Sequence, residues 1–133
     1  MKFYLKSVFL FLGLVMILGI QPVWAKKSSY CYITAYSYNL KEAYYTPIFT
    51  VQVEGKSFNN EEYVADMKII RKLEDALQAY LRKTRRINPA FFSFSARTGF
   101  KTEEIARRHL NEELTDLKTK GLKINELPDF KVE

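Results

Sequence analysis

The chain has 133 residues, a formal net charge of +6 and a single cysteine. One cysteine excludes an internal disulfide, so the fold must be held by packing. The basic excess is small and alternates in sign with acidic residues along the helical segments, which fits a solvated surface and argues against a nucleic-acid footprint.

Residues 1–25 read as a cleavable secretory signal peptide. Lys2 and Lys6 precede an apolar run from Val8 to Ile20, Gln21-Pro22 break it, and Val23-Trp24-Ala25 forms the end that a signal peptidase reads. The alternative is an uncleaved anchor, because Ser7–Ala25 carries no charge and is just long enough to span a bilayer. A lipid anchor on Cys31 is excluded by the polar Ser28-Ser29-Tyr30 in front of it. Residues 26–133 then make one compact domain, and losing Lys2 and Lys6 lowers the formal charge from +6 to +4. A domain of this size buries roughly two-thirds of its extended surface, enough for a core without covalent staples.

Tyr30–Tyr38 alternates with period two and predicts a strand. Tyr30, Tyr32, Tyr36 and Tyr38 lie on one face; Cys31, Ile33 and Ala35 lie on the other. Asn39–Glu42 is turn-like, and Tyr44–Val53 is a second strand, with Pro47 marking an edge or bulge because it has no N–H for a ladder. The two strands are spaced as an antiparallel hairpin.

A long helix is predicted after Gly55–Asn60, with Asn59 as N-cap, Glu62 completing a capping box and Phe58 and Tyr63 as a hydrophobic staple. Tyr63, Met67, Ile70, Leu73, Leu77, Tyr80 and Leu81 form its apolar stripe, and Asn88-Pro89 stops it after about Arg86. Phe91–Ala96 is a third strand, with Phe92, Phe94 and Ala96 on one face, and Thr98-Gly99 a turn. Thr102 caps a second helix that carries Glu103 and Glu104 in its first turn. Ala106, Leu110, Leu114 and Leu117 are its buried stripe, and Gly121 is a left-handed stop with Leu122 folding back on Leu117. Leu122–Val132 holds a fourth strand, broken by Pro128. The order β-β-α-β-α-β implies an α/β (α+β two-layer) fold: a mixed four-stranded sheet with two amphipathic helices, and the second to fourth strands roughly parallel.

No catalytic, metal or cofactor motif stands out. Gly55, Gly99 and Gly121 are the glycines beyond the leader, and none belongs to a phosphate-cradling loop. His109 is the only histidine and reads as a half-packed boundary residue. Cys31, without a charged neighbour on its strand, reads as a buried hydrophobe rather than a nucleophile. The acidic pairs Glu61-Glu62, Glu74-Asp75, Glu103-Glu104 and Glu112-Glu113 read as caps and solvated surface, since adjacent helical residues do not face each other.

Two features are candidates for binding. Arg82, Lys83, Arg85 and Arg86 lie at a helix C-terminus, where they complement the dipole or contact a phosphate, an anionic glycan or an acidic headgroup. Tyr30, Tyr32, Tyr36 and Tyr38, with Tyr44 and Tyr45 beyond the turn, form either a covered sheet face or an aromatic platform for sugar rings or a protein.

Residues 92–124 run strand, Ser-containing loop, helix from Glu103-Glu104-Ile105-Ala106, then Lys120-Gly121-Leu122 into a strand. In this order they resemble one half of the sporulation-related repeat domain that binds peptidoglycan. The resemblance covers about a quarter of the chain. The opening β-β hairpin departs from that family's β-α-β start, so no functional residue carries over.

The expectation is therefore a small exported, non-catalytic binding or accessory protein of the cell envelope, periplasmic or extracellular. Its partner would be a protein or, alternatively, peptidoglycan or another glycan. Membrane contact is expected only through an uncleaved leader.

Overall fold

The computed structural model describes residues 26–132; the expected signal peptide lies outside the described residues. β1 (Lys27–Ser37) is the centre of a mixed five-stranded sheet. Along one edge it pairs antiparallel with β2 (Glu42–Tyr45) and β3 (Phe49–Val53), and along the other, also antiparallel, with β4 (Ser93–Phe100). β5 (Lys123–Glu126) adds to β2 in parallel. Four strands thus run one way and β1 alone runs against them, as the crossover argument anticipates.

β2 and β3 are the single second strand of the sequence, divided at Pro47. Thr34 pairs with Tyr45 but Cys31 pairs with Phe49, so the second strand carries one extra residue between them. Thr46 makes good the interrupted ladder: its N–H donates to the Ile33 carbonyl and its hydroxyl accepts from the Ile33 N–H, both at 3.0 Å. The extra residue reverses the faces. Tyr45 packs on one side of the sheet, while Phe49 and Val51, also odd-numbered, pack on the other.

α1 (Met67–Tyr80) continues through a π-helical turn, Leu81–Arg85, and Arg86 ends it in the left-handed region at φ 54°. Leu73, Leu77 and Leu81 bury fully against Cys31, Ile33, Ala35, Tyr44, Phe92 and Ala96. Each such leucine stabilises the fold by roughly 1.5–3 kcal/mol. The helix begins later than its capping box suggests. Asn59 Oδ1 does accept from Glu61 and Glu62 N–H groups, and its amide donates to the Glu62 carboxylate. Those bonds close a turn instead of a helix, because Tyr63 N–H is taken by the Gly99 carbonyl at 2.7 Å and Val64 N–H by that of Lys56. Asp66 is the true N-cap, accepting from Lys68 N–H.

Pro89–Phe91 forms a short 3-10 turn capped by Asn88, so β4 starts two residues later than expected. It also runs further, because Thr98-Gly99 is a bulge and not a turn. Tyr32 faces Arg97 while Tyr30 faces Phe100, leaving one extra residue on β4, with Gly99 at φ +92°. The bulge carries Phe100 to the face opposite Ala96.

α2 (Glu103–Thr119) is capped by the Thr102 hydroxyl and ends at Gly121, where Leu122 N–H returns to the Leu117 carbonyl as expected. Ala106 and Leu110 pack on Tyr32 and Phe100, and Leu117 packs on Ala43 and Leu122. α1 and α2 therefore cover opposite faces, which makes the sheet the middle of three layers and not one of two.

Candidate functional site

The tyrosine stripe meets α2. Tyr32, at the centre of β1, is fully buried and its ring stacks on Phe100 at a centroid distance of 5.9 Å. Tyr30, Tyr36 and Tyr45 are half-buried around the same helix. Tyr38 is 51 % exposed, with its ring edge-on to Tyr36 and the Lys120 ammonium above it. Of the two arrangements the sequence left open, the centre of the stripe is a covered sheet face at Tyr32, because α2 lies over it, while Tyr38 at its end is exposed. Tyr44 belongs to the other face, against Phe92.

Beneath α2 lies a polar contact with no counterpart in the sequence expectations. The Glu113 carboxylate accepts from the Tyr32 hydroxyl at 2.9 Å and the Thr34 hydroxyl at 2.7 Å. Both donors belong to fully buried residues. Burial first, and then the facing carboxylate, push the Tyr32 phenol well above its ordinary value. Glu113 lies three residues after Leu110 and four before Leu117, on the stripe that faces the sheet. That spacing was the available signal, and reading Glu112-Glu113 as an exposed pair passed over it.

One turn earlier, His109 lies flat on Phe100 with centroids 4.8 Å apart, and its Nε2 is 3.8 Å from Glu61 Oε1. Arg108 pairs with the same carboxylate, and Arg97 lies over the Phe100 ring while approaching Glu62 at 3.6 Å. The Arg108 guanidinium holds the Glu61 carboxyl below its ordinary value. These charges fasten the 57–63 turn to α2 and β4. The arginines and glutamates are spent on each other; His109 is half-packed as expected, with its Nε2 buried and without a hydrogen-bond partner among the described residues. Cys31 is buried, its thiol donating to the Phe49 carbonyl at 3.3 Å, and burial pushes it up to about 12. Among the described residues no three His, Cys, Asp or Glu side chains gather as metal ligands.

The remaining sequence candidate lies where both helices end. Arg82, Lys83, Arg85 and Arg86 are all exposed, and among the described residues none makes an ion pair. Arg97, Arg107, Arg108 and Lys120, by contrast, each have a carboxylate partner. Arg85 lies close enough to the Tyr44 hydroxyl to oppose the upward pull of burial and of Glu42. Arg82 and Arg86 line a shallow hollow with Ile87, Asn88 and Pro89. Just beyond it Phe91 is 59 % exposed, because Phe92 takes the inward position beside Tyr44.

Comparison with protein-family models, curated proteins and solved structures finds no match for this chain. The resemblance of residues 92–124 to the sporulation-related repeat accordingly rests on element order, and the chemistry of the surface must carry the functional argument.

That surface is one end of the molecule. Ser93 sits opposite Tyr36, so the chain from Phe91 approaches β4 level with the β1–β2 turn, where Tyr38 and Leu40 are each 51 % exposed. Arg85 lies near the Tyr44 hydroxyl, and Leu117 packs with Ala43, which places both helix C-termini at the same end. The apolar residues at this end are what the sequence reading missed; their signal was a large side chain inside a turn, at Leu40 and at Phe91 after Asn88-Pro89.

Proposed function

We propose that this chain is a small exported, non-catalytic binding protein of the cell envelope or the extracellular space, and that it binds through the end where α1 and α2 finish. The observation that carries this reading is the cluster of four exposed cations without acidic partners beside exposed Phe91. Arg97, Arg107 and Arg108 are paired with carboxylates, whereas here four cations fall within five consecutive residues. Unpaired cations next to exposed apolar side chains suit an anionic partner that also offers apolar contact.

The test is retention of the chain from Lys26 onward on native envelope fractions, compared with the double variant Arg82→Gln, Arg86→Gln. Both side chains are exposed, so the variant should melt as the parent does. Reduced retention at unchanged stability supports the reading; equal retention overturns it.

A further inference from the structure

We infer that the partner of this end is an anionic phospholipid bilayer. The inference rests on the reading above and names the partner class for the same surface. Arg82, Lys83, Arg85 and Arg86 would meet headgroup phosphates, Phe91 and Leu40 the acyl boundary, and Tyr38 the headgroup level.

Two properties of the surface select a bilayer over a soluble polyanion. The first is charge complementarity: exposed cations without partners are drawn to the negative potential of an anionic leaflet. The second is the placement of the apolar residues. Tyr38, Leu40 and Phe91 project from two neighbouring turns at the tip of the sheet. A polyphosphate gives nothing in return for an exposed Leu40 or Phe91, and an acidic glycan, which can stack on an aromatic ring, gives nothing for Leu40. A bilayer rewards both kinds of residue, because aromatic and aliphatic side chains enter the interfacial zone while lysine and arginine stay at the phosphates.

This contact is separate from any anchor provided by the leader. Lys26 precedes β1, and β1 runs from there towards Ser37 and the turn that carries Tyr38 and Leu40. The leader therefore joins at the opposite end of the central strand. The surface must act without it, which widens the membrane role beyond the uncleaved segment considered from the sequence.

Residues 26–132 contain the five strands, the two helices and the three core clusters described above, so the chain from Lys26 is the unit to test. Trp24 is the only tryptophan and lies in the leader, so Phe91→Trp introduces a single reporter. Sedimentation with vesicles of phosphatidylglycerol and phosphatidylcholine in equal parts should carry the protein down, and pure phosphatidylcholine should not. Arg82→Gln with Arg86→Gln should weaken vesicle binding roughly thirtyfold, at about fivefold per cation near the surface. Tryptophan emission of Phe91→Trp should shift to the blue on the anionic vesicles, and Leu40→Ser should weaken binding without altering the melt.

Binding to soluble polyphosphate as tight as to vesicles, with no blue shift and no effect of Leu40→Ser, would overturn the bilayer and leave an acidic polymer as partner. Failure to bind anionic vesicles while envelope retention still depends on Arg82 and Arg86 would overturn the bilayer alone. Envelope retention indifferent to those arginines would remove the functional reading itself.

Discussion

Tyr32 and Glu113 are 81 positions apart in sequence, yet the phenol of one donates to the carboxylate of the other at 2.9 Å. Thr34 donates to the same carboxylate, so β1 sets the position of α2 with two directed bonds as well as with apolar packing. Glu113→Ala would leave two buried hydroxyls without an acceptor. Unsatisfied buried groups cost about 1–3 kcal/mol each, so a loss of roughly 2–6 kcal/mol is expected by denaturant unfolding. A loss below about 0.5 kcal/mol, the size of an ordinary surface change, would show that the carboxylate does not fasten the helix.

The tyrosine stripe separates into a core residue and a surface residue. Tyr32→Ala should cost about 3–5 kcal/mol, as large aromatic deletions in cores do. Tyr38→Ala, at 51 % exposure, should change stability by no more than about 0.5 kcal/mol. Thermal melts of the two variants side by side check the contrast, and equal melts would contradict the burial of Tyr32.

Gly99 is required by both conformation and space. Its φ is +92°, and a Cβ there would lie 2.8 Å from the Tyr63 carbonyl oxygen. That oxygen is backbone and cannot swing aside. Gly99→Ala should destabilise by roughly 1–3 kcal/mol, the usual size of a strained backbone position. Amide exchange should also quicken at Tyr63, whose N–H is bonded to the Gly99 carbonyl. Unchanged exchange at Tyr63 would show that the 57–63 turn is held by its charges alone.

Cys31 gives a pH-dependent prediction. Its thiol is raised from 9.0 to about 12 by burial, so the folded state keeps a proton that the unfolded chain has already lost. Stability from this group is complete below pH 9 and declines as pH rises from 9 towards 12. At neutral pH, alkylation should be slow in the native protein and fast in denaturant. Replacing Cys31 with Ala should reduce the alkaline loss of stability; an identical pH profile would assign that loss to other groups.

Export is checked by the intact mass of the secreted chain. The expected N-terminus is Lys26, after Val23-Trp24-Ala25. A mass that includes residues 1–25 would replace cleavage with a membrane anchor.

What the sequence by itself determined is local. Period two in Tyr30–Tyr38 marked β1 and its buried Cys31 face, and the leucine spacing marked the stripes of both helices. Gly121 ended α2 as expected, because glycine takes a positive φ without steric cost. These signals are legible because each depends on neighbours within one or two turns of the chain. Both bulges depended on pairing. Pro47 and Gly99 mark possible sites, but only the register against β1 shows that one residue is extra and that Phe49 and Phe100 change faces. The start of α1 was likewise decided at a distance. A sound capping box at Asn59 lost its helix when Gly99 took the Tyr63 N–H, since a backbone donor can serve only one strong acceptor at a time. The same holds for the candidate surface. Arg82, Lys83, Arg85 and Arg86 were visible as a run of charge, but their lack of carboxylate partners, and the exposed Phe91 and Leu40 at the same end, depend on which elements meet at that end of the sheet.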